Sequence, residues 1–201
     1  MNKLIVITGA TACGKTRLRD HLLKVKKGIE KFITSTTRDP RNGETNGYHY
    51  WFRLVQDFLL RVSQGEFFEH EEVFSGVYYG MEYAEIQRIQ KNGNIPIVVL
   101  DVKGAKKIMN DDTINSLIIF LSVPEETLWE RFLKSITLGE RKGDSVSPEE
   151  RRERMKIEIE AKEQFFFVVN NIDFETAVEE ANYLISDFLR VKNKKVITQI
   201  G

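Results

Sequence analysis

Gly9-Ala10-Thr11-Ala12-Cys13-Gly14-Lys15-Thr16 decides how this chain folds. It fits the pattern of glycine, four residues, glycine, lysine and a serine or threonine, and it follows the apolar run Leu4-Ile5-Val6-Ile7. Leu18, Leu22 and Val25 then recur at helical spacing, and Gly28 is placed to end that helix. Strand, glycine loop and helix together form the opening unit of an α/β fold. Glycines let the backbone turn tightly and aim successive N–H groups inward, while the helix adds the positive end of its dipole. Such a loop holds polyphosphate, with Lys15 reaching the outer phosphates and the Thr16 hydroxyl facing Mg²⁺. The competing reading is a glycine-rich turn that binds nothing.

The 201 residues allow one domain, or one domain with insertions. Lysine plus arginine balances aspartate plus glutamate at 30 each, so no global field favours nucleic acid or an anionic membrane. An anionic partner must therefore be met by local arginines. Cys13 is the single cysteine, which excludes an intramolecular disulfide and points to a reducing cytoplasm. With no histidine near it in sequence, Cys13 reads as filler within the loop. No apolar stretch reaches membrane-spanning length, and no signal-like region precedes the loop.

Residues 33–94 change texture, crowding Thr, Arg, Gly and aromatic side chains between short apolar pieces, as an α+β insertion with its own small sheet does. Buried-strand runs return at Ile95–Leu100, Ser116–Leu121 and Phe165–Val169, suited to central parallel strands covered on both faces. A helix after Pro124 runs through Leu128, Trp129 and Phe132 and gives way to a polar, glycine-containing segment, Ser135–Asp144. A second helix starts at Ser147, with Pro148 in its first position and Glu150 three residues on. Two helices around such a turn form a flap. A last helix spans Phe174 to Leu189, and 191–201 reads as a solvated tail.

Thr34-Ser35-Thr36-Thr37-Arg38-Asp39-Pro40-Arg41 adds the second half of a site. Two arginines across a proline turn can fork onto one phosphate, since guanidinium groups present paired planar donors. Taken alone, they read equally well as surface charges. With Gly43-Glu44, Gly47-Tyr48-His49-Tyr50-Trp51-Phe52, Gly65-Glu66-Phe67-Phe68-Glu69, Tyr78-Tyr79-Gly80, Leu100-Asp101-Val102-Lys103-Gly104-Ala105 and Val168-Val169-Asn170-Asn171, the ordered motifs resemble the guanylate kinase family. The resemblance runs from Leu4 to about Leu189. It implies a P-loop kinase: a CORE with a central parallel β-sheet flanked by helices (1–32, 95–131 and 149–190), an insertion binding the nucleoside monophosphate (33–94), and a LID (132–148). The implied reaction moves the γ-phosphoryl of ATP to GMP or dGMP with Mg²⁺, in a cytoplasmic monomer or homodimer.

Carried onto this chain, the resemblance assigns ATP to Gly9 through Thr16, Arg131, Arg141 and Asn170, and Mg²⁺ to Thr16 and Asp101. Lys15, Arg38, Arg141 and Arg154 would stabilise the transferring phosphoryl, with Arg152 competing for the place of Arg154 if the register slips by two. Arg38, Arg41, Tyr50 and Tyr79 would hold the acceptor phosphate, and Thr34 and Asp101 join the GMP site. Glu69 resembles the family's guanine reader; a carboxylate accepts two parallel hydrogen bonds, which the N1–H and 2-amino group of guanine provide. Met81 stands where a hydroxyl normally helps read the base, which admits a modified guanine or a broader acceptor range. Lys103 replaces a usual glutamine, and the segment around Ser135–Asp144 is longer than is common. Asp101 could instead cap the turn after it. A catalytically dead, partner-binding module of the family is opposed by the intact loop and arginines.

Overall fold

The computed structural model describes residues 2–41, 43–74, 76–138 and 147–190. In chain order its elements are β1 (Asn2–Gly9), α1 (Lys15–Val25), β2 (Ile29–Lys31), β3 (Ser35–Thr36), β4 (Trp51–Phe52), α2 (Val55–Ser63), β5 (Phe67–Phe74), β6 (Val77–Glu82), α3 (Tyr83–Lys91) and β7 (Ile95–Val99). There follow α4 (Val102–Met109), β8 (Ile114–Ser122), α5 (Glu125–Thr137), α6 (Pro148–Glu160), a 3₁₀ turn (Ala161–Gln164), β9 (Phe167–Asn170) and α7 (Phe174–Arg190). The described residues form two compact units: 3–27 with 99–138 and 147–190, and those within 28–98.

The first unit is α/β. Its strands run in the order β1-β8-β9, and β8 and β9 pair in parallel from Ile119 opposite Phe167 to Ser122 opposite Asn170. Leu4, Ile5, Val6 and Ile7 are all fully buried, as a strand covered on both faces requires. Helix α7 packs on β8, β9 and α1, and α4 packs on β8. The apolar stripe of α1 is buried at Leu18 and Leu22, but Val25 is exposed because the helix ends there and Lys26 turns extended.

Two local expectations shift. The polar segment expected from Ser135 begins later: Ser135 Oγ donates to the Phe132 carbonyl and Thr137 Oγ1 to that of Leu133, so both hydroxyls bond back onto α5 and the helix continues to Thr137. The strand expected from Phe165 starts at Phe167, because the 3₁₀ turn runs to Gln164. Phe165 is buried against Phe120, with ring centroids 5.2 Å apart, while Phe166 faces solvent. The Ser147 cap forms as its sequence reads, its side chain accepting from Glu150 N.

The second unit carries a four-stranded mixed sheet in the order β4-β3-β6-β5, plus the parallel pair β2–β7. One face packs on α2: the buried Phe58 ring stacks on Tyr78 at 5.6 Å and lies 4.4 Å from Phe67. Gly80 is required there, since a Cβ would stand 2.5 Å from the Phe67 ring. Glu82, 4 % exposed, accepts from Ser35 Oγ and from Arg53 Nε and Nη2. A buried carboxylate so paired pins β3 to β6, and losing one partner of such a pair typically costs about 3–5 kcal/mol.

Candidate active site

The loop half-site lies in the first unit. Strand β1 ends on Gly9 at φ 135°, and Gly14 at φ 95° precedes α1. Both must be glycine: a Cβ would stand 2.4 Å from the Leu121 carbonyl oxygen at Gly9, and 2.6 Å from Asn171 Nδ2 at Gly14. Asn171, buried at 3 % exposure, ties the loop down by donating Nδ2–H to the Cys13 carbonyl at 2.7 Å. Its own carbonyl accepts from Arg131 Nη2 at 3.1 Å, and its N–H donates to Ser122 at 2.8 Å. One residue thus couples β8, the loop and an arginine.

A cavity of about 400 Å³ opens over this loop, lined by Thr11, Gly14, Lys15, Thr16 and Arg131 among others. Lys15 Nζ donates to the Gly9 and Ala10 carbonyls at 2.7 and 2.9 Å, and Thr11 N donates to Glu158 Oε2 at 2.7 Å. Cys13 is fully buried, and burial pushes its thiol pKa up. Thr16 is exposed on the first turn of α1. Asp101 is the N-cap of α4, its Oδ1 accepting from Gly104 N at 2.7 Å, so the capping role is present and Oδ2 has no hydrogen-bond partner among the described residues. Asn170 ends β9 exposed, while its neighbour Asn171 is the one that meets the loop.

On α6, Arg152 is engaged elsewhere, its Nε on Glu125 at 3.1 Å and its guanidinium 5.5 Å from the Trp129 ring centroid. Arg154 is exposed and makes no ion pair among the described residues. It lies four residues before Glu158, on the side of α6 that meets the loop. Arg141 lies outside the described residues.

The second half-site belongs to the other unit. Arg38 follows β3 and is held on three sides. Its Nη1 and Nη2 each meet a carboxylate oxygen of Glu44 at 2.7 Å, its Nε donates to Tyr79 Oη at 3.2 Å, and its guanidinium lies over the Tyr50 ring at 5.1 Å. The Glu44 fork raises the Arg38 pKa further, and Arg38 holds the Glu44 carboxyl at about 2. Burial raises the Tyr50 phenol, whose ring centroid is 6.0 Å from that of Tyr79. Arg41 is exposed and is tied to Glu44 through its backbone: its N–H donates to Glu44 Oε2 at 2.7 Å and its carbonyl accepts from Glu44 N at 3.0 Å.

Sheet alternation puts the rest on one face. Glu69 pairs directly opposite Met81, and Tyr79 lies two residues before Met81 in β6. Met81 is 1 % exposed and fills space beside Glu69. Thr34, next to β3, accepts from Trp51 N through its carbonyl at 2.9 Å.

A guanylate kinase family model matches residues 1–188. The chain is 34 % identical over 193 residues to the guanylate kinase of Mesomycoplasma hyopneumoniae (strain 7448), covering 92 % of this chain and 95 % of that one. The chain belongs to the guanylate kinase family. The guanylate kinase of Anaplasma phagocytophilum (strain HZ) is 33 % identical over 199 residues, 98 % of this chain and 90 % of its own length. A crystal structure of guanylate kinase from A. phagocytophilum matches with a TM-score of 0.69 at 26 % identity, over 94 % of this chain and 87 % of that one. Family membership makes the chain a nucleoside monophosphate kinase with an α/β, P-loop kinase fold.

Three contacts around the candidate site carry little signal in the sequence. Glu44 was visible only as part of a motif, although a glutamate three residues after Arg41 across a Pro-Asn-Gly turn is a natural arginine partner. Asn171 stands next to Asn170, and it is Asn171 that meets the loop. Glu158 carried no signal, because its partner Thr11 lies 147 residues away.

Proposed function

We propose that this chain transfers the γ-phosphoryl group of ATP to GMP or dGMP, giving ADP and the corresponding diphosphate. The preassembled Arg38 cluster carries this reading: a guanidinium already oriented by Glu44, Tyr79 and Tyr50 is a receptor for a phosphate dianion. Arg41, exposed on the next turn, adds the second cation. Residues 33–94 would form the acceptor insertion and 132–148 the LID.

ATP phosphates would enter the cavity over the loop, replacing the carbonyls of Gly9 and Ala10 as the partners of Lys15. Thr16 and Asp101 would hold Mg²⁺: an exposed hydroxyl and a free carboxylate oxygen are hard donors of the kind this ion takes. No group of three His, Cys, Asp or Glu able to hold a metal occurs among the described residues, which fits an ion bound mostly through substrate phosphates. When bound, the ion neutralises charge on the phosphates. The chain's own contribution is alignment and electrostatics, with no covalent enzyme intermediate. Lys15, Arg131, Arg141 and Arg154 supply positive charge around the transferring group, and Asn170 sits beside the adenine. Glu69 accepts from the guanine edge.

Met81 favours a second reading within the same class. A buried thioether beside Glu69 offers the base no hydroxyl, which relaxes acceptor choice toward a wider set of purines. The described residues hold no helix long and apolar enough to cross a membrane, and the cytoplasm is the proposed location.

ADP release measured with GMP, dGMP, AMP, CMP and UMP as acceptors tests the assignment. Turnover with guanine nucleotides and its loss in Lys15→Ala are expected. Activity with adenine or pyrimidine acceptors but not guanine would overturn the substrate, and full activity in Lys15→Ala would overturn the role of the loop.

A further inference from the structure

Inside the loop, polar groups suited to a nucleotide already have partners from the chain itself. Thr11 N–H is capped by a Glu158 carboxylate oxygen at 2.7 Å, and Lys15 Nζ is turned onto two loop carbonyls. A carboxylate oxygen and a phosphate oxygen are equivalent partners for a backbone N–H, both being anionic acceptors. Glu158 stands on α6, so this hydrogen bond fastens that helix to the loop. No step of the proposed transfer uses Glu158.

We propose that Glu158 is a built-in competitor for the nucleotide phosphate, docking α6 on the loop through Thr11 and leaving it when ATP arrives. A triphosphate and a carboxylate cannot share this partly buried place without strong repulsion, and only the carboxylate can move off with its helix. The same side of α6 carries the replacement: Arg154, one turn before Glu158, is exposed and without an ion pair among the described residues. The helix therefore offers the loop an anion and offers a bound phosphate a cation. Part of the ATP binding energy goes into breaking the Thr11–Glu158 contact. The proposal rests on the loop being the ATP phosphate site.

Calorimetric titration of the full chain with ATP and Mg²⁺ tests it, comparing wild type with Glu158→Gln, Glu158→Ala and, as a control for general charge, Glu160→Gln. Glu160 is an exposed residue of the same helix. ATP is expected to bind about threefold tighter in Glu158→Gln, which keeps a neutral acceptor, and about tenfold tighter in Glu158→Ala, with Glu160→Gln unchanged. Hydrogen exchange without nucleotide gives the second readout: the Thr11 amide is expected to be protected in wild type and to exchange faster in Glu158→Ala. Unchanged or weaker ATP binding in Glu158→Ala, with wild type binding ATP, overturns the proposal alone. A wild-type chain that does not bind ATP overturns the loop assignment and the proposal with it.

Discussion

Arg38 and Glu44 meet through two parallel hydrogen bonds of 2.7 Å, and Glu44 also accepts from the Arg41 N–H. Glu44 therefore sets the direction of one arginine proposed to bind the acceptor phosphate and the backbone of the other. Glu44→Gln, which cannot form the charged fork, is expected to raise KM for GMP about tenfold while kcat falls less. Steady-state kinetics with GMP varied checks this, and an unchanged KM for GMP would show that Arg38 needs no such positioning.

The same pair sets a pH dependence. Glu44 titrates at about 2 in the folded chain against an ordinary 4.5, so its stabilising contribution is complete above pH 4.5 and is lost as the pH falls toward 2. Urea unfolding of wild type and Glu44→Gln is expected to show a gap at pH 7 that persists to about pH 5 and closes below it. A gap that widened on acidification would contradict this.

Asn171 bears on the other half-site. Asn171→Ala leaves the buried Cys13 carbonyl without its donor, a loss of about 1–2 kcal/mol in stability. Because the released segment is the phosphate loop, KM for ATP is expected to rise more than KM for GMP. Equal changes in both would mean that Asn171 acts only on stability.

Glu69→Gln tests base reading. Losing one of two acceptors and the charge is expected to lower kcat/KM for GMP about 10–100-fold while leaving kcat/KM for AMP unchanged. A comparison of the two acceptors at fixed ATP decides it.

Cys13 is expected to resist alkylation in the folded protein. Full burial removes access, and the raised thiol pKa leaves little thiolate near neutral pH. Iodoacetamide labelling followed by mass should proceed only in denaturant; fast labelling of the native chain would contradict the burial.

The parts legible in sequence are those set by short-range rules. The loop between β1 and α1 follows from glycine spacing, the start of α6 from Ser147, Pro148 and Glu150, and the sheet of the second unit from its change of texture. What escaped depends on tertiary placement. Ser135 and Thr137, whose side chains favour turns over helix interiors only mildly, bond back onto α5 instead of ending it. Met81 could be read as a departure from a base-reading pattern, but its burial beside Glu69 depends on β5 and β6 pairing. Counted from Ser147, Arg154 is the expected arginine and Arg152 competes only if the register slips by two; the packing of α6 against α5, which commits Arg152 to Glu125, is not visible in the sequence.

The most direct measurement follows the label from ATP carrying ³²P at the γ position, incubated with the protein, Mg²⁺ and GMP. Label appearing in GDP, dependent on GMP and absent in Lys15→Ala, is the expected result. Label released only as inorganic phosphate, or kept in ATP whatever the acceptor, would contradict the central claim that this chain passes a phosphoryl group to a guanine monophosphate.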